Sequence, residues 1–162
     1  MGKAITAVNT PNKTSNFYPA DEKWEMIMLP FAASVAMEEG TAVSPQIVTN
    51  DVTGNLTKMG VENATGSDFF GIIAEPIVST DTDYATAGKL KGVWVPQSLY
   101  ATAFFTVGAG TFTSADVFKT VELHSDSKSL AVDTKGKGAR IVEFISSTRG
   151  KCVFSLPQTE VA

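Results

Sequence analysis

Residue types that do chemistry are sparse in this chain. Its one histidine, His124, stands beside Ser125 and Asp126, the three side-chain types of a nucleophile, its base and an orienting carboxylate. Acyl transfer needs such groups brought together with fixed geometry, and three neighbours in a turn cannot form a triad on their own. His124 therefore reads as a solvated turn histidine. Asp81 and Asp83 alternate along a loop, with Asp68 and Glu75 as further carboxylates, and alternate loop residues can turn oxygens toward one hard cation. The stretch Asp81-Thr82-Asp83 lacks the glycine and closing glutamate of a calcium loop, so the expectation is a solvated loop. Glu38 and Glu39 ahead of Gly40 read as a turn rather than a catalytic carboxylate pair. Cys152 is the only cysteine. No intrachain disulfide can form, and its place between Lys151 and Val153 reads as a buried, inert thiol.

Two glycine pairs, Gly108-Ala109-Gly110 and Gly136-Lys137-Gly138, invite a phosphate-binding reading. Neither precedes a helical pattern whose amino end would supply the donors, so dinucleotide and Walker readings fail on context. Trp94, Tyr100, Phe104 and Phe105 can stack on sugars or bases, yet alternating aromatics in strands ordinarily fill a core. The residues point to no enzyme and no cofactor.

The elements that position these side chains read as strands. From Met1 to about Lys23 the chain is polar and turn-rich, with no period of 2 or 3.6, and is expected to be an extended N-terminal arm. Phe17, Tyr18 and Trp24 are costly to leave in water, so the arm is expected to dock on something. Phe69 to Val78 is rich in β-branched and aromatic residues, with Gly71 inside and Pro76 near its end, and reads as the central buried strand closed by a turn. Trp24–Leu29, Leu56–Met59, Leu90–Pro96, Leu99–Val107, Val117–Leu123, Ser129–Val132, Gly138–Ile145 and Lys151–Leu156 read as further strands, Thr41–Pro45 and Gln46–Thr49 as two short extended pieces, and Asp51 to Asn55 as a hairpin turn. Many short strands between turn signals predict an all-β protein, a small β-barrel or sandwich, occupying 24–162 as one domain behind the arm at 1–23. An order also recurs. A short strand (Leu56–Met59; Ser129–Val132) leads to a core strand with an apolar pair (Ile72-Ile73; Ile141-Val142), then to a lysine-led strand ending in proline (Lys91–Pro96; Lys151–Pro157). It reads as one β motif used twice.

Composition bounds the partners. At 162 residues with 43% hydrophobic and 19% charged side chains, the chain can bury one core. A net charge of -4 supplies no basic field for phosphates, which argues against nucleic acid. The longest apolar run, Met26 to Met37, is broken by Pro30 and Ser34 and falls short of the roughly 20 residues of a membrane span. Met1 to Ala20 lacks the apolar centre of a secretory signal. The expectation is a soluble protein made in a reducing cytoplasm.

The order of residues from about Ala33 to Pro157 resembles the capsid decoration, or cement, proteins of tailed bacteriophages, the small β-barrel family to which the lambda head decoration protein is compared. The carriers are Ala36-Met37-Glu38-Glu39-Gly40-Thr41-Ala42-Val43, Gly54-Asn55-Leu56-Thr57-Lys58, Phe70-Gly71-Ile72-Ile73-Ala74, Ala139-Arg140-Ile141-Val142 and Gly150-Lys151-Cys152-Val153-Phe154. The long arm before Trp24 and the stretch Ser98 to Thr113 depart from the smallest members. The resemblance implies a β-tulip-like barrel and a non-enzymatic virion protein. Such a protein binds the outer surface of the assembled head, contacts the major capsid protein and neighbouring copies, often as a homotrimer, and stiffens the shell. On that reading the arm, with Asn9, Phe17, Tyr18 and Trp24, carries much of the contact, since an extended segment can add to a neighbour's sheet edge while aromatics fill pockets. The alternative is a carbohydrate- or surface-binding β module of a virion tail that uses exposed Trp94 and Tyr100. An enzyme built on His124 is the third reading.

Overall fold

The computed structural model describes residues 16–48, 56–65 and 68–154. Within them the chain forms eleven strands and one 3-10 turn, Ser114–Asp116. The strands are Tyr18–Pro19 (β1), Trp24–Phe31 (β2), Ala42–Val48 (β3), Leu56–Val61 (β4), Gly71–Ile73 (β5), Lys89–Pro96 (β6), Thr102–Ala109 (β7), Thr120–Leu123 (β8), Leu130–Lys135 (β9), Ala139–Ser146 (β10) and Arg149–Val153 (β11). The all-β class expected from strand and turn signals is the class observed. Period-2 alternation sets the faces: in β2, Leu29 and Phe31 turn inward while Met26 and Met28 stay exposed. Pro30 is tolerated there by its phase. The Gln97 N–H donates to the Lys23 carbonyl just before β2, so bonded pairs with β6 fall on odd residues and proline, lacking an N–H, takes a non-bonded place.

Strands β2-β4-β3-β5-β6 close into a barrel. Every neighbouring pair in it is antiparallel except β2 with β4, which run parallel at Phe31 and Met59. The second sheet runs β1-β7-β11-β10-β8-β9, and a further parallel pairing of β7 with β9 joins its last strand back to β7. The two rings thus share one plan: first strand to fifth, fifth to fourth, fourth to second, second to third, and third parallel to first. Hydrogen bonds fix the correspondence. Gly40 N–H donates to Ile73 O at 2.9 Å and Ile73 N–H to Thr41 O at 3.0 Å; Phe118 N–H donates to Ile141 O at 2.7 Å and Ile141 N–H to Lys119 O at 3.0 Å. Ile73 therefore matches Ile141, and Val93 matches Cys152, because these pair with each other in the two rings. The apolar pairs expected to correspond, Ile72-Ile73 and Ile141-Val142, are out of step by one residue, since Ile72 falls opposite Arg140.

Two apolar clusters hold the body together. One fills the first ring with Phe31, Val43, Ile73, Ile77 and Val93. The other fills the second ring and spreads across the seam, where Trp24, Ala42, Ile72 and Trp94 of the first ring join Phe105, Leu123, Ile141 and Phe154. Ala42 N–H donates to Ser127 O at 2.9 Å, Leu123 N–H to Ala64 O at 3.2 Å and Trp24 Nε1 to Thr102 O at 2.8 Å, so the seam is hydrogen-bonded as well as apolar.

The body begins earlier than Trp24. Tyr18 and Pro19 pair with Phe104 and Ala103 of β7, and Ala20 N–H donates to Thr102 O at 2.8 Å. Phe17, Tyr18 and Trp24, expected as docking anchors, are 1%, 6% and 1% exposed within this chain's own core. The physical reason is near at hand: the edge of β7 and the Phe154 ring, 4.9 Å from that of Phe17, offer these aromatics cover inside the molecule. Asn9 and the hairpin turn at 51–55 lie outside the described residues. The central strand is also shorter than expected. Only Gly71–Ile73 pair as a strand; the chain then turns, and Ile77 bridges Met37.

Candidate functional site

The turn joining β8 and β9 does bring a histidine, a carboxylate and a hydroxyl together. His124 Nδ1 lies 3.4 Å from Asp126 Oδ2, and Ser129 Oγ donates to the Asp126 carboxylate at 3.0 and 3.1 Å. The order is wrong for a nucleophile. A triad places the imidazole between hydroxyl and carboxylate, so that the base takes the hydroxyl proton; here the carboxylate stands in the middle and the Ser129 proton points at it. Asp126 Oδ1 also accepts the Lys128 N–H at 2.8 Å, the local bond by which aspartate closes a turn. Burial raises the Asp126 carboxyl, but the Lys128 amide, the Ser129 hydroxyl and His124 outweigh it and hold it below the usual aspartate range. No substrate fits against the group from the β7 side: a Cβ on Gly108 would sit 2.2 Å from Ser129 Oγ and 2.7 Å from His124 Cγ. The constellation is a turn clasp, and Ser125, the neighbour that sequence suggested, is not its hydroxyl.

The other carboxylates go separate ways. Asp81 Oδ2 accepts the Val78 N–H at 3.0 Å, Asp83 lies 3.4 Å from Lys91 Nζ, and Glu75 accepts the Gly92 N–H. Among the described residues no group of three or more His, Cys, Asp or Glu side chains is arranged to hold a metal ion. Glu38 pairs with Lys128 at 2.6 Å. Cys152 is fully buried, and burial pushes its thiol far above the ordinary range. Of the aromatic group, Trp94 and Phe105 are core, Phe104 lies under the Arg149 and Lys151 cations, and Tyr100 alone is open at 63%. Trp94 and Tyr100 form no shared exposed platform.

One residue that sequence reasoning passed over stands out. Phe118 carries φ 75°, in the left-handed region, and is 69% exposed. Its counterpart in the first ring is Gly40, with φ 88°, where a side chain would collide with Asn16 Cβ at 2.4 Å. The conformation belongs to the fold, because both residues donate to the matching isoleucine carbonyl. Glycine adopts it freely, whereas a bulky residue there is a genuine outlier costing about 1–2 kcal/mol. Arg140 Nη1 donates to the Phe118 carbonyl at 2.8 Å and pins the turn. Sequence alone could have found Phe118 only by aligning it with Gly40, and the one-residue slip in the repeat hid that match.

Compared with known proteins, the chain matches no protein-family model, no curated protein and no solved structure.

Proposed function

We propose that this protein is a non-enzymatic capsid decoration protein, which binds the outer surface of a tailed-phage head and stabilises it. The observation that carries the reading is Phe118: an exposed aromatic ring kept at a strained position where the sister ring has glycine. Strain retained at a surface position has to be repaid by function, and a large ring in water is repaid by a partner surface. Met28, Leu90, Leu99 and Tyr100, between 53% and 63% exposed, offer further apolar contact around a body rigidly joined by its shared core. Several weak contacts on one rigid body gain affinity only where partners recur at fixed spacing, as they do on a shell of major capsid protein and neighbouring copies in a homotrimer. The anchors of this reading are therefore surface residues of the rings rather than Phe17, Tyr18 and Trp24. Co-sedimentation of the purified chain with expanded heads tests it. Saturable binding at a fixed ratio to the capsid protein, weakened by Phe118→Gly, is the expected result; absence of binding to heads rejects it.

A further inference from the structure

The turn that carries Phe118 has a twin in the first ring. Thr41 N–H donates to Glu38 O at 3.2 Å there, and Lys119 N–H to Asp116 O at 3.1 Å here, so Glu39-Gly40-Thr41 matches Val117-Phe118-Lys119. The first turn is covered. Asn16 Nδ2 donates to the Glu39 carbonyl at 2.6 Å and Phe17 N–H to that of Gly40 at 3.3 Å, and a Cβ on Gly40 would meet Asn16 Cβ. Phe118 thus points along the direction from which its twin is covered by chain. The second turn is open: the Phe118 ring is exposed, and its carbonyl takes Arg140 Nη1 where Gly40 takes a backbone N–H.

Cations gather around the open turn. Arg140 pairs with Thr120 between β10 and β8, and Lys135 with Val121 between β9 and β8, so both stand at the end of β8 nearest Phe118. Four cations, Lys119, Lys135, Lys137 and Arg140, meet two carboxylates there, Asp116 and Glu122, in a chain whose net charge is -4. Asp133, further back on β9, accepts the Thr111 N–H instead. Asp116 matches Lys119 at 2.7 Å. Arg140 is bonded to a carbonyl, which leaves its charge uncancelled and most of its five N–H donors unused, and Lys135 is exposed with no carboxylate partner among the described residues. We infer that this end of the second ring docks on an acidic protein surface, one that offers an apolar socket to the Phe118 ring and carboxylates to Arg140 and Lys135. The inference rests on the reading of Phe118 as an attachment residue and adds the chemistry of what it attaches to. Nucleic acid and anionic membranes are negative throughout and repel a body of net charge -4 everywhere outside this patch. A protein surface is acidic only where the patch meets it, and such local complementarity selects the partner.

Co-sedimentation of the full chain with expanded heads, at about 50 and about 500 mM salt, tests it. Affinity should fall about tenfold across that range. At the lower salt Lys135→Gln should weaken attachment about threefold and Lys135→Glu about tenfold, whereas Lys23→Glu, reversing an exposed cation at the entry to the first ring, should change it by less than about twofold. Equal losses at Lys135 and Lys23, or attachment indifferent to salt, would overturn the acidic partner while leaving attachment through Phe118 standing. Absence of sedimentation with heads at either salt rejects both. Phosphatidylserine vesicles and duplex DNA, offered in place of heads, should capture none of the chain; capture by either as tight as by heads would assign the patch to that polyanion and overturn the inference.

Discussion

Cys152 stands in the second ring where Val93 stands in the first: both are fully buried, and each faces the matching isoleucine, Ile141 or Ile73, across an antiparallel pair. The equivalence says what the thiol is for. It fills a valine-sized place in a ring interior, and Cys152→Val should fold with a melting temperature within a few degrees of the parent, since near-isosteric core exchanges cost under about 1.5 kcal/mol. In the native protein the thiol should resist maleimide until the chain unfolds. Rapid labelling of folded protein would show that the ring opens.

Phe118→Gly should raise stability and lower attachment at once. Relief of left-handed strain is worth about 1 kcal/mol, a rise of roughly 2–4 °C in a chain of this size, offset in part by glycine's extra freedom in the unfolded chain. Phe118→Ala should keep most of the strain while losing the ring. Thermal melts beside head co-sedimentation separate the two effects, and a Phe118→Gly protein that melts lower would show that the ring packs on its own body.

Two carboxyls should tilt stability with pH in opposite directions. Burial raises Glu62, with Asp68 adding to the rise against the Asn63 amide and Ser44, and among the described residues its Oε2 has no hydrogen-bond partner. The folded state therefore holds that proton more tightly, and stability falls as pH climbs from the unfolded value near 4.3 through the raised one. Glu62→Gln should melt higher than the parent at pH 7.5 and lose that advantage in acid. Asp116 is held low, first by the Lys119 ammonium at 2.7 Å, then by the Thr113 amide. Its contribution is present at neutral pH and disappears as pH falls from about 3.9 through the lowered value. Asp116→Asn should melt lower at pH 7.5 and converge with the parent below that window.

The N-terminal segment should divide sharply at Asn16. Removing residues 1–15 should leave a cooperatively folding protein, since every described strand and both apolar clusters lie beyond them. Removing residues 1–20 also takes Phe17 and Tyr18 from the core and β1 from β7, and should leave little folded material. Trp24→Ala is expected to cost about 3–5 kcal/mol, read by urea titration. Equal stability of the two truncations would show that β1 contributes nothing.

How much of this was legible follows from what side-chain type can and cannot encode. Alternating Val, Ile and Phe runs between glycine and proline turns were enough for the all-β class, and the single buried cysteine was placed correctly by its neighbours; His124 does sit at the turn, but half-buried against Gly108 rather than solvated. Phe17, Tyr18 and Trp24 were misplaced because their segment is polar and aperiodic and the strand β7 that covers it lies far along the chain. β1, only two residues long, leaves no periodic trace. The recurring motif was visible, but its register was not: a bulge after Ile141 and the absence of shared residues let the alignment slip by one. Phe118 was hidden for a different reason, since a positive φ is a property of the backbone that a phenylalanine does not announce.

The most direct measurement is quantitative mass spectrometry of purified virions whose genome encodes this chain. On the proposed reading the chain should be present at a copy number near that of the major capsid protein. Its absence from finished particles, or its presence only at the few copies of a tail component, would contradict the account.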